Sequence, residues 1–280
     1  MGTSRKSVSY GGRRFYKMSG SGNDFIFFDE ADGPSAQLRE PAAIKTLCAR
    51  GTGIGADGIV LLDRSNPSEP RIDYYNSDGS VGELCGNATL CTVRLNAQLS
   101  RAKNGANEVA IKTYSGEVKG RLVDGLPEID LAPVTEVDPV LDSIPPEGEE
   151  IQTGYAVVGV PHVAIEVPDV DSVDVIGRGS KVRRDRSLAK GANVNFLARA
   201  GDVWEIRTYE RGVEGETLAC GTGAVASAIL LMIWNRAKSP VRLRTRSGRE
   251  LVVKARRENG AWHPSLRGPA DLVFIGELPT

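Results

Sequence analysis

The sequence predicts an α/β (α+β) protein of two pseudosymmetric domains, each a curved, mostly antiparallel sheet or barrel around one central helix. Three observations carry that expectation. Short apolar strands bounded by turn residues outnumber helices along the 280 residues. Each half has one prominent helix, opening near Gly86 and near Gly221. Recognisable anchors recur in the same order, 132 to 139 residues apart.

In the first half, strands are read at FIFFDE (25–30), GIVLLDR (58–64), RIDYYN (71–76) and EVAIKTY (108–114). In the second they are read at YAVVGV (155–160), HVAIEV (162–167), NVNFLAR (193–199) and VWEIRTYE (203–210). The helix opening at Gly221 is apolar nearly all round, the pattern of a helix enclosed by strands. Asn23 in SGNDF is echoed by His162 in GVPHV, Asp57 by Asn193, Cys85 by Cys220, and the Ser115-Gly116 turn by Ser247-Gly248. Four anchors in order argue for a duplicated unit. The stretch 133–150, rich in proline and acidic residues, reads as the connection between copies. The expected division is 13–130 and 131–265, with strand 266–280 returning to the first domain and a cleft between the two.

Composition narrows the function. With 35 basic and 36 acidic side chains the net charge is −1, so no polyanion is expected as partner, neither nucleic acid nor an acidic membrane surface. The basic opening MGTSRKSVSYGGRRFYK lacks an apolar run, so it reads as an extension rather than a secretory signal. The longest apolar run, 224–234, falls short of the roughly 20 residues that span a bilayer. Four cysteines without a CxxC pair, and two histidines, call for neither a disulfide framework nor a metal site. A cytoplasmic protein with reduced thiols, and a small molecule rather than a polyanion as its ligand, is the expectation.

Two of those cysteines stand apart. Cys48 and Cys91 lie within apolar segments and read as core residues. Cys85 and Cys220 each precede a glycine at a helix entrance, in matching halves. Unpaired N–H groups and the helix dipole favour negative charge there. The position is expected to lower the thiol pKa, and the N–H groups of Gly86-Asn87 and Gly221-Thr222 to hold a carboxylate. A carboxylate between two helix entrances with a thiol on either side describes a two-base racemase or epimerase: a thiolate takes the α-proton and a thiol returns one to the opposite face. Asn76, Asp78 and Gly79 gather before Cys85. Glu210 and Arg211 precede Cys220, an arginine suited to a second carboxylate and an acid suited to an ammonium. His162 could orient a thiol or tune its ionisation.

The blocks SGNDF, GIGADG, NSDGSVGELCGN, GVPH, GANVNF and YERGVEGETLACGTGA give the chain a resemblance to the diaminopimelate epimerase family over nearly its whole length. That resemblance implies a pyridoxal- and metal-independent epimerase interconverting LL- and meso-2,6-diaminopimelate, in bacterial lysine and peptidoglycan precursor biosynthesis. It implies Cys85 and Cys220 as acid and base, with His162 and Glu210 beside them. It further implies Asn23, Asn76, Asn193, Glu210 and Arg211 as substrate contacts, with the backbone of Gly86, Asn87, Gly221 and Thr222. It also implies a homodimer, with Phe274 at the position of an interface aromatic. The chain departs from the family pattern at Gly58, at Leu90 in place of an arginine, at Val160 in place of an asparagine, and at the extra residue Glu214. Leu90 and Val160 bear on the distal end of the substrate. A related racemase for another amino acid such as histidine or hydroxyproline, a cysteine hydrolase or acyltransferase using Cys220 with His162, and a redox-sensing pair are the competing readings.

Overall fold

The computed structural model describes residues 10–82, 85–100 and 108–280. The leading extension up to residue 9 lies outside the described residues. The first half runs β1 (Arg14–Gly20), β2 (Asn23–Asp29), α1 (Pro41–Cys48), β3 (Gly58–Asp63), β4 (Arg71–Asn76), α2 (Gly86–Leu99), β5 (Glu108–Thr113), β6 (Gly116–Val123) and β7 (Leu126–Asp130). After the short β8 (Val137–Asp138), the second half runs β9 (Gln152–Val158), β10 (Val160–Glu166), α3 (Val175–Arg183), β11 (Asn193–Ala200), β12 (Val203–Glu210), β13 (Gly215–Thr217) and α4 (Gly221–Ile233). It ends with β14 (Val241–Arg244), β15 (Glu250–Glu258), β16 (Ala261–Arg267) and β17 (Ala270–Glu277).

The pairing pattern is the same twice. An antiparallel hairpin, β1–β2 or β9–β10, is followed by a parallel partner reached through a helix, β2–β3 or β10–β11. An antiparallel strand, β4 or β12, precedes the long helix, and a parallel return to β5 or β14 follows it. Two antiparallel strands then complete each copy. The halves join through β7 and β16, the last strands of the two copies, which pair antiparallel with each other. Equivalent strands pairing across a junction is what a pseudo-twofold axis requires.

The register refines two echoes. Phe25 pairs with Gly58 and His162 with Asn193, and Gly58 and Asn193 each open their strand. The position equivalent to Asn193 is therefore Gly58 rather than Asp57, and that equivalent to His162 is Phe25 rather than Asn23. The connection also differs from an open linker. Leu141 and Ile144 are buried, β8 pairs with β9, and Val134 bridges Trp262. β17 crosses back to pair along β1.

Helices α2 and α4 share one core. Leu90, Cys91 and Val93 of the first, with Ala224, Val225 and Ile229 of the second, form a single apolar cluster with Leu251 and Leu266. Small residues such as Gly223, Ala224, Ala226 and Ala228 let the strands close round α4. Cys48 is buried in a separate cluster beneath α1. Among the described residues no helix is long and apolar enough to cross a membrane.

Candidate active site

Cys85 and Cys220 are the N-caps of α2 and α4, with nearly identical extended backbones (φ −122°, ψ 111° and φ −134°, ψ 110°). Neither side chain makes a capping hydrogen bond. Both line one cavity of about 830 Å³. The glycines after them meet beneath it: a Cβ on Gly86 would lie 3.3 Å from Leu266 Cδ2, and one on Gly221 only 3.0 Å from the same methyl. Leu266 sits on the junction strand β16, so one side chain supports both helix entrances. Any side chain at Gly221 would press on that support.

The same cavity is lined by Asn23, Asn76, Gly86, Asn87, Asn193, Glu210, Arg211, Gly221 and Thr222, so the chain brings together every cavity-facing residue singled out from sequence. His162 is the exception: it is fully buried behind the wall. Its Nε2 lies 3.0 Å from Thr222 Oγ1, and that hydroxyl lies 3.6 Å from Cys220 Sγ. Asp78 instead closes its own turn by accepting from Ser80, and Gly79 packs on Pro41. Of the family departures, Val160 lines the cavity whereas Leu90 is fully buried in the core. Leu90 therefore has no part in reading a ligand. Glu214 takes a left-handed backbone (φ 56°) and loops outward, its carboxylate held by Arg183 and Tyr209, with Glu210 and Arg211 left facing inward.

Glu210 and Arg211 are matched opposites. The Glu210 carboxylate accepts from the Thr217 hydroxyl at 2.8 Å, and burial followed by the charge of Asp57 pushes its pKa up. Arg211 donates its backbone N–H to Asn193 Oδ1 at 2.8 Å and its guanidinium to Lys190 O at 2.9 Å. Among the described residues neither is paired with an opposite charge. Across the cavity, Asn87 donates to Asn23 Oδ1 at 2.6 Å, and Asn23 donates to Asp57 at 3.0 Å.

The thiols overturn one expectation. Cys85 is pushed up to about 11, first by burial, against the N–H groups of Ala88 and Asn87. Cys220 is pushed up to about 12, by burial and then the Glu210 carboxylate, against the Thr222 hydroxyl and the Gly223 N–H. The helix entrances do lower both values, but loss of water outweighs them. Burial, with the charge of Arg211 added, holds His162 down at about 3, so its ring is neutral.

Tyr74 was missed from sequence. It lines the cavity and fills the space above Gly58 and Gly82, where a Cβ would come within 2.6 Å and 2.2 Å of its ring. The available signal was strand alternation: Tyr74 lies two residues before Asn76, on the same face of β4. Among the described residues no group of three or more His, Cys, Asp or Glu side chains is arranged to hold a metal.

Comparison with known proteins is consistent with this geometry. The diaminopimelate epimerase family model matches residues 15–129 and 154–273, two stretches that follow the two copies of the fold and skip the connection. Diaminopimelate epimerase of Gemmatimonas aurantiaca is 43% identical over 275 residues, covering 94% of this chain and 98% of that protein. That of Aquifex aeolicus is 38% identical, covering 85% and 88%. Among solved structures, a Bacillus anthracis phenazine biosynthesis protein of the PhzF family superimposes with a TM-score of 0.73 at 14% identity, covering 96% of this chain and 99% of that one. A hydroxyproline epimerase from Agrobacterium vitis gives 0.65 at 17% identity, covering 98% and 95%. These two show a shared fold, whereas identity of 38 to 43% over most of both chains shows common membership. This chain belongs to the diaminopimelate epimerase family.

Proposed function

We propose that the protein converts LL-2,6-diaminopimelate to the meso isomer by two-base proton transfer between Cys85 and Cys220. The observation that carries this reading is that two N-cap cysteines, each followed by a glycine packed on Leu266, line one cavity. The substrate α-carboxylate is held by the N–H groups that open α2 and α4, from Gly86, Asn87, Gly221 and Thr222. One sulfur, as thiolate, takes the α-proton. Charge spreads onto the carboxylate, where the helix N-termini stabilise it. The other sulfur, as thiol, protonates the opposite face, and the pair is left with its protonation reversed. The reverse reaction uses the same groups in exchanged roles.

The unpaired charges of Glu210 and Arg211 suit the distal amino acid, an ammonium beside one and a carboxylate beside the other, with Asn23, Asn76 and Asn193 as polar contacts. The catalytic units correspond to residues 13–130 completed by 266–280, and to 131–265. We further infer a cytoplasmic homodimer. Phe274, half-exposed and packed edge-on against Phe15 at 5.9 Å, supports the contact between copies.

The test is incubation with LL-diaminopimelate in deuterated water. The expected outcome is formation of the meso isomer with one deuterium at the inverted carbon. Cys85→Ala and Cys220→Ala should each lower turnover by at least about a thousandfold in both directions, because each direction needs both an acid and a base. Retained turnover in either variant would refute the two-base scheme. Exchange with histidine or hydroxyproline but not diaminopimelate would refute the substrate.

A further inference from the structure

The two thiols are not equivalent, and the difference traces to a side chain outside the cavity. Asn195 on β11 is fully buried. Its Nδ2 lies 3.1 Å from Val163 O and 3.4 Å from His162 Nδ1, while its Oδ1 accepts from the Thr208 hydroxyl at 2.9 Å. A backbone carbonyl can only accept, so the atom facing Val163 O must be the amide nitrogen. The same nitrogen faces His162 Nδ1, which must therefore accept as well. A neutral imidazole has one proton, and with His162 held near 3 that proton resides on Nε2. Nε2–H donates to Thr222 Oγ1, which leaves the hydroxyl's own proton for Cys220 Sγ.

The equivalent positions in the first half end differently. By register Phe25 stands where His162 does, so no imidazole backs Cys85, and Asn87 stands where Thr222 does. Asn23 Nδ2 donates to Asp57, so Asn23 Oδ1 accepts from Asn87 Nδ2. Among the described residues the Asn87 oxygen is then buried without a partner, and asparagine has no hydroxyl to offer Cys85.

We propose that Asn195 is a positioning residue that holds His162 in its Nε2–H tautomer and thereby aims the Thr222 hydroxyl at Cys220 alone. The inference deepens the two-thiol reading and rests on it for its catalytic meaning. The other groups facing this chain are Glu210 and Cys85 beside Cys220, and Arg211 beside His162.

Nitrogen-15 NMR of histidine-labelled protein tests it directly. The chain has only two histidines, so a His263→Gln control assigns both. The wild-type His162 ring is expected to stay neutral from about pH 5 to about pH 9, with its proton on Nε2. A proton on Nδ1, or a ring that gains charge in that range, overturns the proposal. Asn195→Asp places an acceptor-only carboxylate opposite Nδ1. It is expected to draw the ring proton to Nδ1 and turn the Thr222 hydroxyl toward Nε2. Iodoacetamide alkylation of Cys220, followed by mass spectrometry, should then shift its pH profile upward by about one unit, with that of Cys85 unmoved. An unmoved or lowered Cys220 profile overturns the proposal; should the variant not fold, the wild-type spectrum decides alone. Both readouts need no substrate. Inert diaminopimelate with the expected tautomer would defeat the activity reading alone, and the wrong tautomer with full epimerisation would defeat only this inference.

Discussion

Cys85 and Cys220 stand where two influences oppose each other. A helix N-terminus favours a neighbouring anion by about 0.3–1 kcal/mol, and by up to about 2 kcal/mol in partly buried geometry. One pKa unit is about 1.4 kcal/mol, and complete burial moves a group by up to about 3–5 units. Both cysteines are half-buried, and even so loss of water wins: both sulfurs are thiols at neutral pH, pushed up to about 11 and about 12. On the proposed two-thiol mechanism, the ammonium on the reacting carbon is the positive charge that offsets this cost. The ligand-free protein is accordingly expected to alkylate at Cys85 and Cys220 at least about a hundredfold more slowly at pH 7 than a free cysteine near its ordinary value of about 8.5. The rate should climb with pH well past 9. Timed iodoacetamide labelling checks this, and labelling as fast as free cysteine would contradict it. The same shift has a stability counterpart. Above about pH 8.5 the unfolded chain gives up these protons while the folded chain keeps them, so stability falls as pH rises toward the folded values. No sequence pattern could have shown this, because burial is created by strands far away in the chain.

At the level of elements, the start of α4 is pressed onto β11. A Cβ on Gly223 would fall 2.4 Å from Asn195 Oδ1 and 3.2 Å from Cys220 Sγ. Asn195 is held from both sides and cannot move aside cheaply. Gly223→Ala is expected to cost about 1–3 kcal/mol in denaturant unfolding and to reduce turnover at least about tenfold. An unchanged unfolding midpoint would show that the contact yields. The helix entrances were legible because cysteine followed by glycine recurs, and the hairpins because serine-glycine turns recur. Asn195 and Tyr74 were passed over although each lies two residues from a side chain already singled out, Asn193 and Asn76. Alternation places such pairs on one face. β8 was hidden by the flanking Pro133 and Pro139, which suit a connection equally well and conceal two paired residues between them.

For the whole molecule, the two short exchanges matter most. β8 leaves the first copy to pair with β9, the opening strand of the second. β17 leaves the second copy to pair with β1, the opening strand of the first. Removing residues 269–280 strips β1 of that neighbour and uncovers Phe15 and Met18, which are now buried. The truncated protein is expected to lose about 10 °C or more in Tm, with both halves unfolding together; calorimetry measures it, and an unchanged Tm would mean that β1 is held by β2 alone. Local patterns revealed the repeat and its thiols. The return of the last strand to the first domain was expected from sequence, but its partner was not, since β1 and β17 stand at opposite ends of the chain.

The crossing is mutual: each copy lays its trailing strand on the opening strand of the other. Two identical chains arranged this way would clasp each other reciprocally and present two identical sulfurs to one ligand. Joining tail to head preserves the clasp and removes the identity. Only after that fusion can a threonine be set behind one sulfur and an asparagine behind the other.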